Sequence, residues 1–265
     1  IGTDRRTVSE SRQQQGTLMG TIPSANFVVY RTPDYMMSGL QDHRKGEYES
    51  STHVAQVSFE DQTVVFFSCP HTSGEGGGLR PDYWSGHTTL PRVIQHQNVM
   101  SLTWRLSEFA WMSHCFFEPE RFDEVRYEGK WTFARKNKAY VGIWSENGME
   151  IGRTGQYAGR ELICRAGENT WLVECGRKAD QGSFEAFVNA VLGASIKASG
   201  GQVAYDSPSI GRFVTGWDVE PTVDGVPVQT RDYELLESPF GSARYSSGEM
   251  MLQHGGDKLR LFYNF

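Results

Sequence analysis

Aromatic, basic and amide side chains are concentrated in residues 79–106, LRPDYWSGHTTLPRVIQHQNVMSLTWRL. Glycines precede this stretch, and Pro81 and Pro91 interrupt it, so an irregular segment is expected. The stretch is too polar for a core strand, and its aromatic content argues against disorder. Aromatic rings beside arginine, histidine and glutamine suit a flat-faced polar ligand, for which a sugar is the obvious candidate. The residues that predict such a binding surface are Arg80, Tyr83, Trp84, His87, Arg92, Gln95, His96 and Gln97.

A purely structural role for the same stretch is the alternative. Long irregular segments inside compact domains are usually functional or disordered, but a crossover loop can also be pinned to a sheet by its aromatic side chains. In that case Trp84 would be buried, and Arg92 would pair with an acidic neighbour or bind backbone carbonyls. The sequence does not decide between the two interpretations.

The seven histidines are the next candidates for chemistry, because imidazole is the side chain that titrates near neutral pH. His87 lies within the stretch, whereas His53 and His114 open strand-like runs, where a side chain can point from the end of a sheet into a cleft. These three histidines are therefore the candidates for proton transfer, with a structural role for each as the alternative. No HxH or HExxH spacing occurs, so neither a metal site nor another cofactor is predicted.

Acidic residues cluster around Pro119 in the segment FFEPERFDEVRYEG. A glycosidase needs two carboxylates about 5–9 Å apart, and Asp123 or Glu124 would supply one of them. The alternative is a charged turn between two strands, balanced by Arg121 and Arg126. The sequence has no GxSxG elbow, no phosphate-binding GKS/T loop and no dinucleotide fingerprint, which argues against serine hydrolases, NTPases and Rossmann enzymes.

Composition limits the classes of partner. The 265-residue chain has a net charge of −6 and a pI near 5.7, which argues against a general nucleic-acid partner. No apolar run approaches the roughly 18 residues that span a bilayer, so no membrane partner is expected. The four cysteines are too widely spaced for a zinc knuckle. Buried free thiols are expected, with a Cys164–Cys175 disulfide across a hairpin as the alternative.

Short strand-like runs follow a polar arm or linker at residues 1–16. Apolar residues at helical spacing predict one packing helix over 183–194, with Ser183 as its N-cap, at an edge or end of the sheets. About eighteen short strands and one helix predict an all-β domain over residues 17–265, a large two-sheet antiparallel β-sandwich with one short packing helix. The predicted strands are 17–22, 27–31, 35–40, 53–59, 63–68, 99–106, 114–117, 122–127, 131–135, 140–145, 162–166, 170–176, 202–206, 212–217, 222–228, 233–237, 249–254 and 258–263.

Particular turns and core residues follow from the same pattern. Asp61-Gln62, the segment 136–138 and the segment 167–169 are expected to be hairpin turns. The run 170–176 is apolar on both faces, which is typical of a strand covered on both sides. Trp171 and Trp144 are therefore predicted to be core residues.

Four segments carry a resemblance to a known family: RTPDYMMSGLQDHRKGEYESSTHVAQVSF, RPDYWSGHTTLPRVIQHQNV, SHCFFEPERFDEV and GKWTFARKNKAYVGIWS. Together they resemble the β-sandwich portion of bacterial and fungal heparinase II/III-like proteins, over roughly residues 27–220. In that family an (α/α) toroid of helices precedes a large β-sandwich, and the active cleft lies between the two. Members cleave uronic-acid polysaccharides by β-elimination. The resemblance is one of layout and not of a catalytic signature.

The resemblance implies that this chain is the C-terminal part of a larger enzyme, since no helical toroid is present in the sequence. Its expected partners are then a polysaccharide or oligosaccharide and the missing N-terminal toroid, in a periplasmic or secreted setting. The sequence leaves homo-oligomerisation open.

A polysaccharide lyase is the function that this resemblance favours. The cleft residues would be His53, His87, His114 and Tyr83 for the proton steps, and Trp84, Arg92, Arg80 and Gln95 for the substrate. Arg92 would pair with the uronate carboxylate, and Trp84 would stack on a sugar ring. A glycoside hydrolase and a non-catalytic carbohydrate-binding or scaffold module are the alternatives.

Overall fold

The computed structural model describes residues 25–71, 81–155, 157–245 and 247–262. Within these ranges the chain is mostly β, with two α-helices, α1 (Lys178–Gln181) and α2 (Phe184–Gly193), and a 3-10 turn at Pro119–Arg121. In chain order the strands are β1 (Phe27–Arg31), β2 (Met36–Leu40), β3 (Ala55–Ser58), β4 (Val64–Ser68), β5 (Arg92–His96), β6 (Val99–Arg105), β7 (Ser113–Phe117), β8 (Glu124–Glu128), β9 (Trp131–Lys136), β10 (Ala139–Ser145), β11 (Glu150–Ile151), β12 (Glu161–Cys164), β13 (Glu168–Arg177), β14 (Ile196–Ser199), β15 (Gln202–Ser207), β16 (Gly211–Gly216), β17 (Thr222–Val223), β18 (Val226–Pro227), β19 (Leu236–Ser238), β20 (Gly241–Ala243), β21 (Glu249–His254) and β22 (Asp257–Phe262).

Two large antiparallel sheets form the sandwich. The first has the strand order β1-β2-β3-β4-β7-β12-β11, and the second has the order β5-β6-β13-β10-β9-β8. Because side chains alternate between the two faces of a strand, every second residue of each strand points into the space between the sheets. Phe67 and Phe117 from the first sheet meet Trp104, Trp171 and other residues of the second sheet in one core.

A third layer covers the outer face of the second sheet. Helix α2 begins after Ser183, whose hydroxyl accepts a hydrogen bond from the Ala186 amide at 3.1 Å, as the N-cap prediction requires. Its buried Phe187 packs against Phe133 and Tyr140, beside the five-stranded sheet β14-β15-β16-β17-β18. The helix thus lies on a sheet face and not at an edge or end, and the covered strand expected at 170–176 is confirmed in β13.

The described residues from Tyr233 to Phe262 contain a separate four-stranded sheet, β19-β20-β21-β22. Strand β22 is its edge strand, and all six of its residues are exposed. This sheet contributes little to either core cluster.

The all-β sandwich predicted from the sequence is confirmed, and so are several of its turns. Asp61 and Gln62 have φ values of 55° and 57° in the β3–β4 hairpin, and Asn137 has a φ of 53° in the β9–β10 hairpin. A short polar turn in this left-handed region matches the twist of the strands that it joins. The predicted strand at 17–22 and the arm at 1–16 lie outside the described residues.

Two local predictions are wrong because the strands involved belong to different sheets. The segment 167–169 does not close a hairpin, since β12 lies in the first sheet and β13 in the second. Cys164 and Cys175 therefore do not face each other across a hairpin. All four cysteines are buried free thiols, as expected.

The structure also contains a strand where the sequence predicted an irregular segment. Arg92–His96 is the edge strand β5, and four of its five residues are buried. Polar residues are tolerated there because each has internal partners: Arg92 pairs with Asp42, and the backbone amide of Gln95 donates to the side chain of Gln41 at 2.8 Å. Buried polar groups cost little when they are hydrogen-bonded.

Removal of a core indole tests this packing. Trp171 is 0 % exposed, and its indole N–H donates to the Ser113 hydroxyl at 2.8 Å across the sandwich. We expect Trp171→Ala to lower the free energy of unfolding by about 3–5 kcal/mol, because the change opens a cavity and leaves Ser113 without its donor. Urea denaturation measures this difference. Tyr127→Ala, at a side chain 49 % exposed, is the control, and an equally small loss in both variants would contradict the assignment of Trp171 to the core.

Candidate functional site

The candidate site is built on the outer face of the first sheet, where β4, β7 and β12 lie side by side. In the run SHCFF of β7, Cys115 and Phe117 point into the core, so His114 and Phe116 must point outward. Ser68 lies opposite His114 on β4, and Phe116 lies opposite Glu161 on β12. The alternation of side chains thus places three polar groups, Ser68, His114 and Glu161, on one sheet face that otherwise carries aromatic and aliphatic residues.

A turn at residues 81–87 covers this face. Asp82 Oδ1 accepts hydrogen bonds from the amides of Trp84 and Ser85 at 2.9 and 2.8 Å, which fixes a tight Asx-type turn. Gly86 follows with a φ of +89°, and a Cβ at this position would overlap the Ser50 carbonyl, so only glycine fits. The turn is therefore held firmly, and it directs Tyr83 and Trp84 over the sheet.

Trp84 forms the exposed part of an aromatic cluster. Its ring packs edge-on against Phe66 and Phe116, with centroid distances of 5.1 and 5.5 Å, and the His53 ring lies 6.3 Å away. Although it makes these contacts, the Trp84 side chain is 47 % exposed. The cluster therefore presents an aromatic surface to solvent next to Tyr83.

His114 is the centre of a buried polar chain. Its Nδ1 lies 2.9 Å from the Ser68 hydroxyl, which also donates a hydrogen bond to the Tyr83 carbonyl at 3.1 Å. On the other side, Nε2 lies 2.9 Å from Glu161 Oε2. This contact has the distance of an ion pair but departs from the in-line direction of a hydrogen bond, and neither atom has another hydrogen-bond partner among the described residues. His114 and Ser68 are both fully buried, and Glu161 is 3 % exposed.

This chain of serine, histidine and glutamate does not have the geometry of a hydrolase triad. A nucleophilic serine must present its oxygen to the substrate. Ser68 is instead buried, and its hydroxyl proton is directed at the Tyr83 carbonyl. The chain connects the floor of the sheet to the turn above it.

A cavity of about 160 Å³ opens beside this chain. Tyr83 and Trp111 form one side, and Glu161 lies at the floor beneath Gly152, where a Cβ would collide with the Glu161 carboxylate. The volume is that of about five liquid-water molecules, enough for one small polar group. The lining residues are Tyr83, Trp111, Met112, Glu150, Ile151, Gly152, Arg153, Thr154, Glu161, Ile163 and Arg165.

Four charged side chains line this cavity, and three of them are paired. Arg165 forms an ion pair with Glu150 at 3.1 Å and lies over the Trp111 ring at 5.0 Å. Glu161 faces His114 as described above. Arg153 is exposed and makes no ion pair with a described residue. Among the described residues, Arg153 is thus the one charged group of the cavity without an ion-pair partner.

Only some of the predicted site residues come together here. Tyr83 and His114 are in contact, with ring centroids 5.4 Å apart, and Trp84 and His53 lie in the adjoining aromatic cluster. Arg80 lies outside the described residues. His87, Arg92 and Gln95 are buried away from the cavity, at positions described next.

His87 is a structural residue in this fold. It is 0 % exposed and bridges Glu49 and Cys69 through its backbone, and neither ring nitrogen makes a hydrogen bond of standard geometry. Burial lowers the pKa of His87 from 6.5 to about 3, with a smaller contribution from His53, while the Thr52 backbone opposes the shift. The imidazole is therefore neutral at ordinary pH and has no route to a ligand.

Arg92 ties three parts of the fold together. Its guanidinium pairs with Asp42 at 2.9 Å, on the loop after β2, and donates to the carbonyls of Gly216, the last residue of β16, and of Val219. These partners occupy the guanidinium, as the structural interpretation of this stretch required, so we do not assign Arg92 to a ligand. Gln95 is 1 % exposed and is likewise bonded internally.

The carboxylates proposed for a glycosidase lie elsewhere. Asp123 pairs with Arg135 at 3.1 Å, and Glu124 pairs with Arg126 at 2.7 Å. Neither residue lines the cavity. They belong to the charged turn that was the alternative interpretation of this segment.

Sequence reasoning missed Ser68, Glu161, Arg153 and Trp111. The signal for Ser68 and Glu161 was available, since each lies one residue from a core position in an alternating strand. Arg153 and Trp111 lie in irregular segments, for which no periodicity predicts a direction. Among the described residues, no cluster of three or more His, Cys, Asp or Glu side chains is arranged to hold a metal, and no helix is long and apolar enough to cross a membrane.

Comparison of the chain with protein-family models, with curated proteins and with solved structures finds no match.

The buried His87 predicts a specific loss of stability in acid. The unfolded chain binds a proton at this histidine below a pH of about 6.5, whereas the folded chain resists it down to about pH 3. The free energy of unfolding should therefore fall as pH decreases through this window, by up to about 1.4 kcal/mol per pH unit. Urea titrations of wild type and His87→Phe should give a shallower dependence on pH in the variant. Equal slopes in the two proteins would contradict the assignment, whatever their stabilities at neutral pH.

Truncation to alanine should destabilise the protein at Arg92 but hardly affect its stability at Arg153. Removing Arg92 leaves the largely buried Asp42 with the longer Arg231 contact of 3.8 Å and leaves the Gly216 and Val219 carbonyls without this donor. Arg92→Ala should therefore lower the free energy of unfolding by about 3–5 kcal/mol. Arg153→Ala is the matched control at an exposed position and should change it by less than about 0.5 kcal/mol. Thermal denaturation of both variants measures the difference. An Arg92→Ala protein as stable as the wild type would refute the structural role of Arg92.

Proposed function

We propose that this chain forms the β-sandwich side of the active cleft of a polysaccharide lyase that acts on uronic-acid-containing glycans. In β-elimination, a cation or proton donor neutralises the uronate carboxylate, a base removes the C5 proton, and an acid protonates the leaving oxygen. Arg153 would neutralise the carboxylate. The Tyr83 hydroxyl would take part in proton transfer, and Trp84 would stack against a neighbouring sugar ring.

The observation that supports this proposal is the convergence of Tyr83, Glu161 and Arg153 around one cavity, with His114 in contact with both Tyr83 and Glu161. Each of these groups comes from a different part of the chain, yet all face the same small space. The exposed Trp84 lies next to Tyr83 in the sequence and extends the surface for further sugar units. In the heparinase-like arrangement, a helical toroid would lie over the surface formed by the cavity and Trp84 and would complete the cleft.

Two alternative functions are less well supported. A glycoside hydrolase needs two unpaired carboxylates facing each other, but Glu150 is paired with Arg165, and Glu161 faces His114. A binding module without catalysis would show an exposed aromatic surface with no convergent titratable groups. Trp84 provides such a surface, but the tyrosine, histidine and arginine beside it favour proton transfer.

Incubation of the full-length protein with alginate, heparin, chondroitin and pectin tests the proposal through the absorbance of unsaturated products. We expect turnover of one of these uronate polymers. Tyr83→Phe should lower kcat by about 100-fold or more, because it removes the proton-carrying hydroxyl while keeping the ring against His114.

The control is Tyr127→Phe, at an exposed tyrosine of β8, which should leave kcat unchanged. No product from any of the four polymers, with a folded protein, would refute the lyase proposal. An unchanged kcat in Tyr83→Phe would refute the role given to Tyr83.

A further inference from the structure

The Glu161 carboxyl group lies at the floor of the cavity without a hydrogen-bond donor. Glu161 is 3 % exposed, and neither of its side-chain oxygens accepts a hydrogen bond from a described residue. His114 lies 2.9 Å from Oε2, but the direction of this contact is not that of a hydrogen bond. Because buried polar groups almost always have a hydrogen-bond partner, this carboxyl group has acceptor capacity that the fold itself does not use.

Gly152 keeps the other oxygen of this carboxyl group open to the cavity. A Cβ at position 152 would lie 1.8 Å from Glu161 Oε1, and both residues line the cavity. A side chain at position 152 would therefore cover the carboxyl group. The absence of one leaves Oε1, on the side away from His114, as the acceptor that a ligand can approach.

Trp111 supplies a second polar group without a partner to the same cavity. Its indole N–H is buried and makes no hydrogen bond with a described residue. Arg165 lies 5.0 Å from the centroid of the ring, and Tyr83 packs edge-on against it at 6.3 Å. These contacts hold the indole in place. The cavity wall thus contains both a donor and an acceptor that the fold leaves unpaired.

The ligand group that reaches the floor must be able to donate a hydrogen bond to Glu161. An ionised carboxylate has no hydrogen to donate and would place two acceptors face to face. A sugar hydroxyl donates one hydrogen bond and accepts others, so it complements a wall that carries both kinds of unpaired group. The cavity volume of about 160 Å³ admits the hydroxyl-bearing edge of one sugar ring.

We propose that the floor of the cavity is a hydroxyl-recognition subsite, in which one sugar hydroxyl donates a hydrogen bond to Glu161 and another oxygen of that sugar accepts the Trp111 N–H. The uronate carboxylate then binds at the exposed Arg153 and not at the floor. The inference rests on the proposed function for the class of ligand, a uronic acid, but it does not require that elimination occurs.

Titration calorimetry of the full-length protein with D-glucuronate and with its 2-deoxy, 3-deoxy and 4-deoxy analogues tests the proposal. At least one analogue should bind about tenfold or more weakly than D-glucuronate, which is about 1.4 kcal/mol. The reason is that a site built to bond a hydroxyl rejects an analogue that leaves its buried polar groups unpaired. This measurement needs no variant.

Glu161→Leu should abolish the discrimination between D-glucuronate and that analogue, because leucine is of similar size but has no acceptor. Arg153→Gln acts on the carboxylate side and should weaken both ligands by the same factor, about tenfold or more, so that their ratio is unchanged. Glu237→Leu, the same change at an exposed glutamate of β19 outside the cavity, should alter neither affinity.

Trp111→Phe tests the subsite without touching Glu161, so the proposal stays testable even if Glu161→Leu does not fold. The variant keeps an aromatic ring beside Arg165 but removes the N–H, and it should weaken D-glucuronate binding by about threefold to tenfold. Trp217→Phe is the matched control, at an indole that packs against Lys45 and Arg105 outside the cavity, and it should leave binding unchanged.

Equal binding of D-glucuronate and all three analogues, or no binding of D-glucuronate, would overturn the inference. So would a folded Glu161→Leu protein that still rejects the same analogue, or an unchanged affinity in Trp111→Phe. These outcomes are separable from a failure of the lyase proposal. Hydroxyl-dependent binding without any unsaturated product would refute the lyase alone, whereas turnover of a uronate polymer with equal binding of all analogues would refute the subsite alone.

Discussion

Ser68, His114 and Glu161 lie on the outer faces of the neighbouring strands β4, β7 and β12, among apolar residues, and each is almost completely removed from water. Buried polar groups must satisfy one another, since none can turn to solvent. Much of the site follows from this constraint. Ser68 holds the Tyr83 carbonyl and thereby the turn above the sheet, and Glu161 requires a residue without a Cβ at Gly152. The same contacts that hold the fold here also form the floor of the cavity.

The layering of the fold explains why the site lies on the first sheet. The inner face of the second sheet lies in the sandwich core, and its outer face packs against α2 and the five-stranded sheet. Polar contacts fix these layers together: Arg92 joins the second sheet to the loops on either side, and the Glu174 carboxylate accepts hydrogen bonds from Tyr205, Ser207 and Ser209 of the third layer. Burial raises the pKa of Glu174. The outer face of the first sheet is left to carry the aromatic cluster and the cavity.

Local patterns in the sequence predicted most of the elements but not their arrangement. Alternation identified β7 and β13, turn residues such as Asn137 located hairpins, and helical spacing located α2 after Ser183. Ser68 and His114 are 46 residues apart and meet only because β4 and β7 are neighbours in the sheet, which no local pattern encodes. The prediction of an irregular segment was wrong at β5, because it was based on the polar residues there. Arg92 and Gln95 can be buried in a strand since their hydrogen-bonding partners come from a distant loop. Tyr83, Trp84 and His114 were found as candidates from residue type. Alternation in β12 could have placed Glu161 on the outer face, but only the pairing of β7 with β12 brings it next to His114.

The hydrogen bond from the Ser68 hydroxyl to the Tyr83 carbonyl joins the buried polar row to the turn above it, so the account depends on this contact. Amide hydrogen exchange of the turn at Trp84 and Ser85, in wild type and in Ser68→Ala, measures its effect most directly. The account predicts faster exchange at these two amides in the variant, while exchange at Val173 in the core strand β13 stays the same. Unchanged exchange of the turn in a folded Ser68→Ala protein would contradict the account.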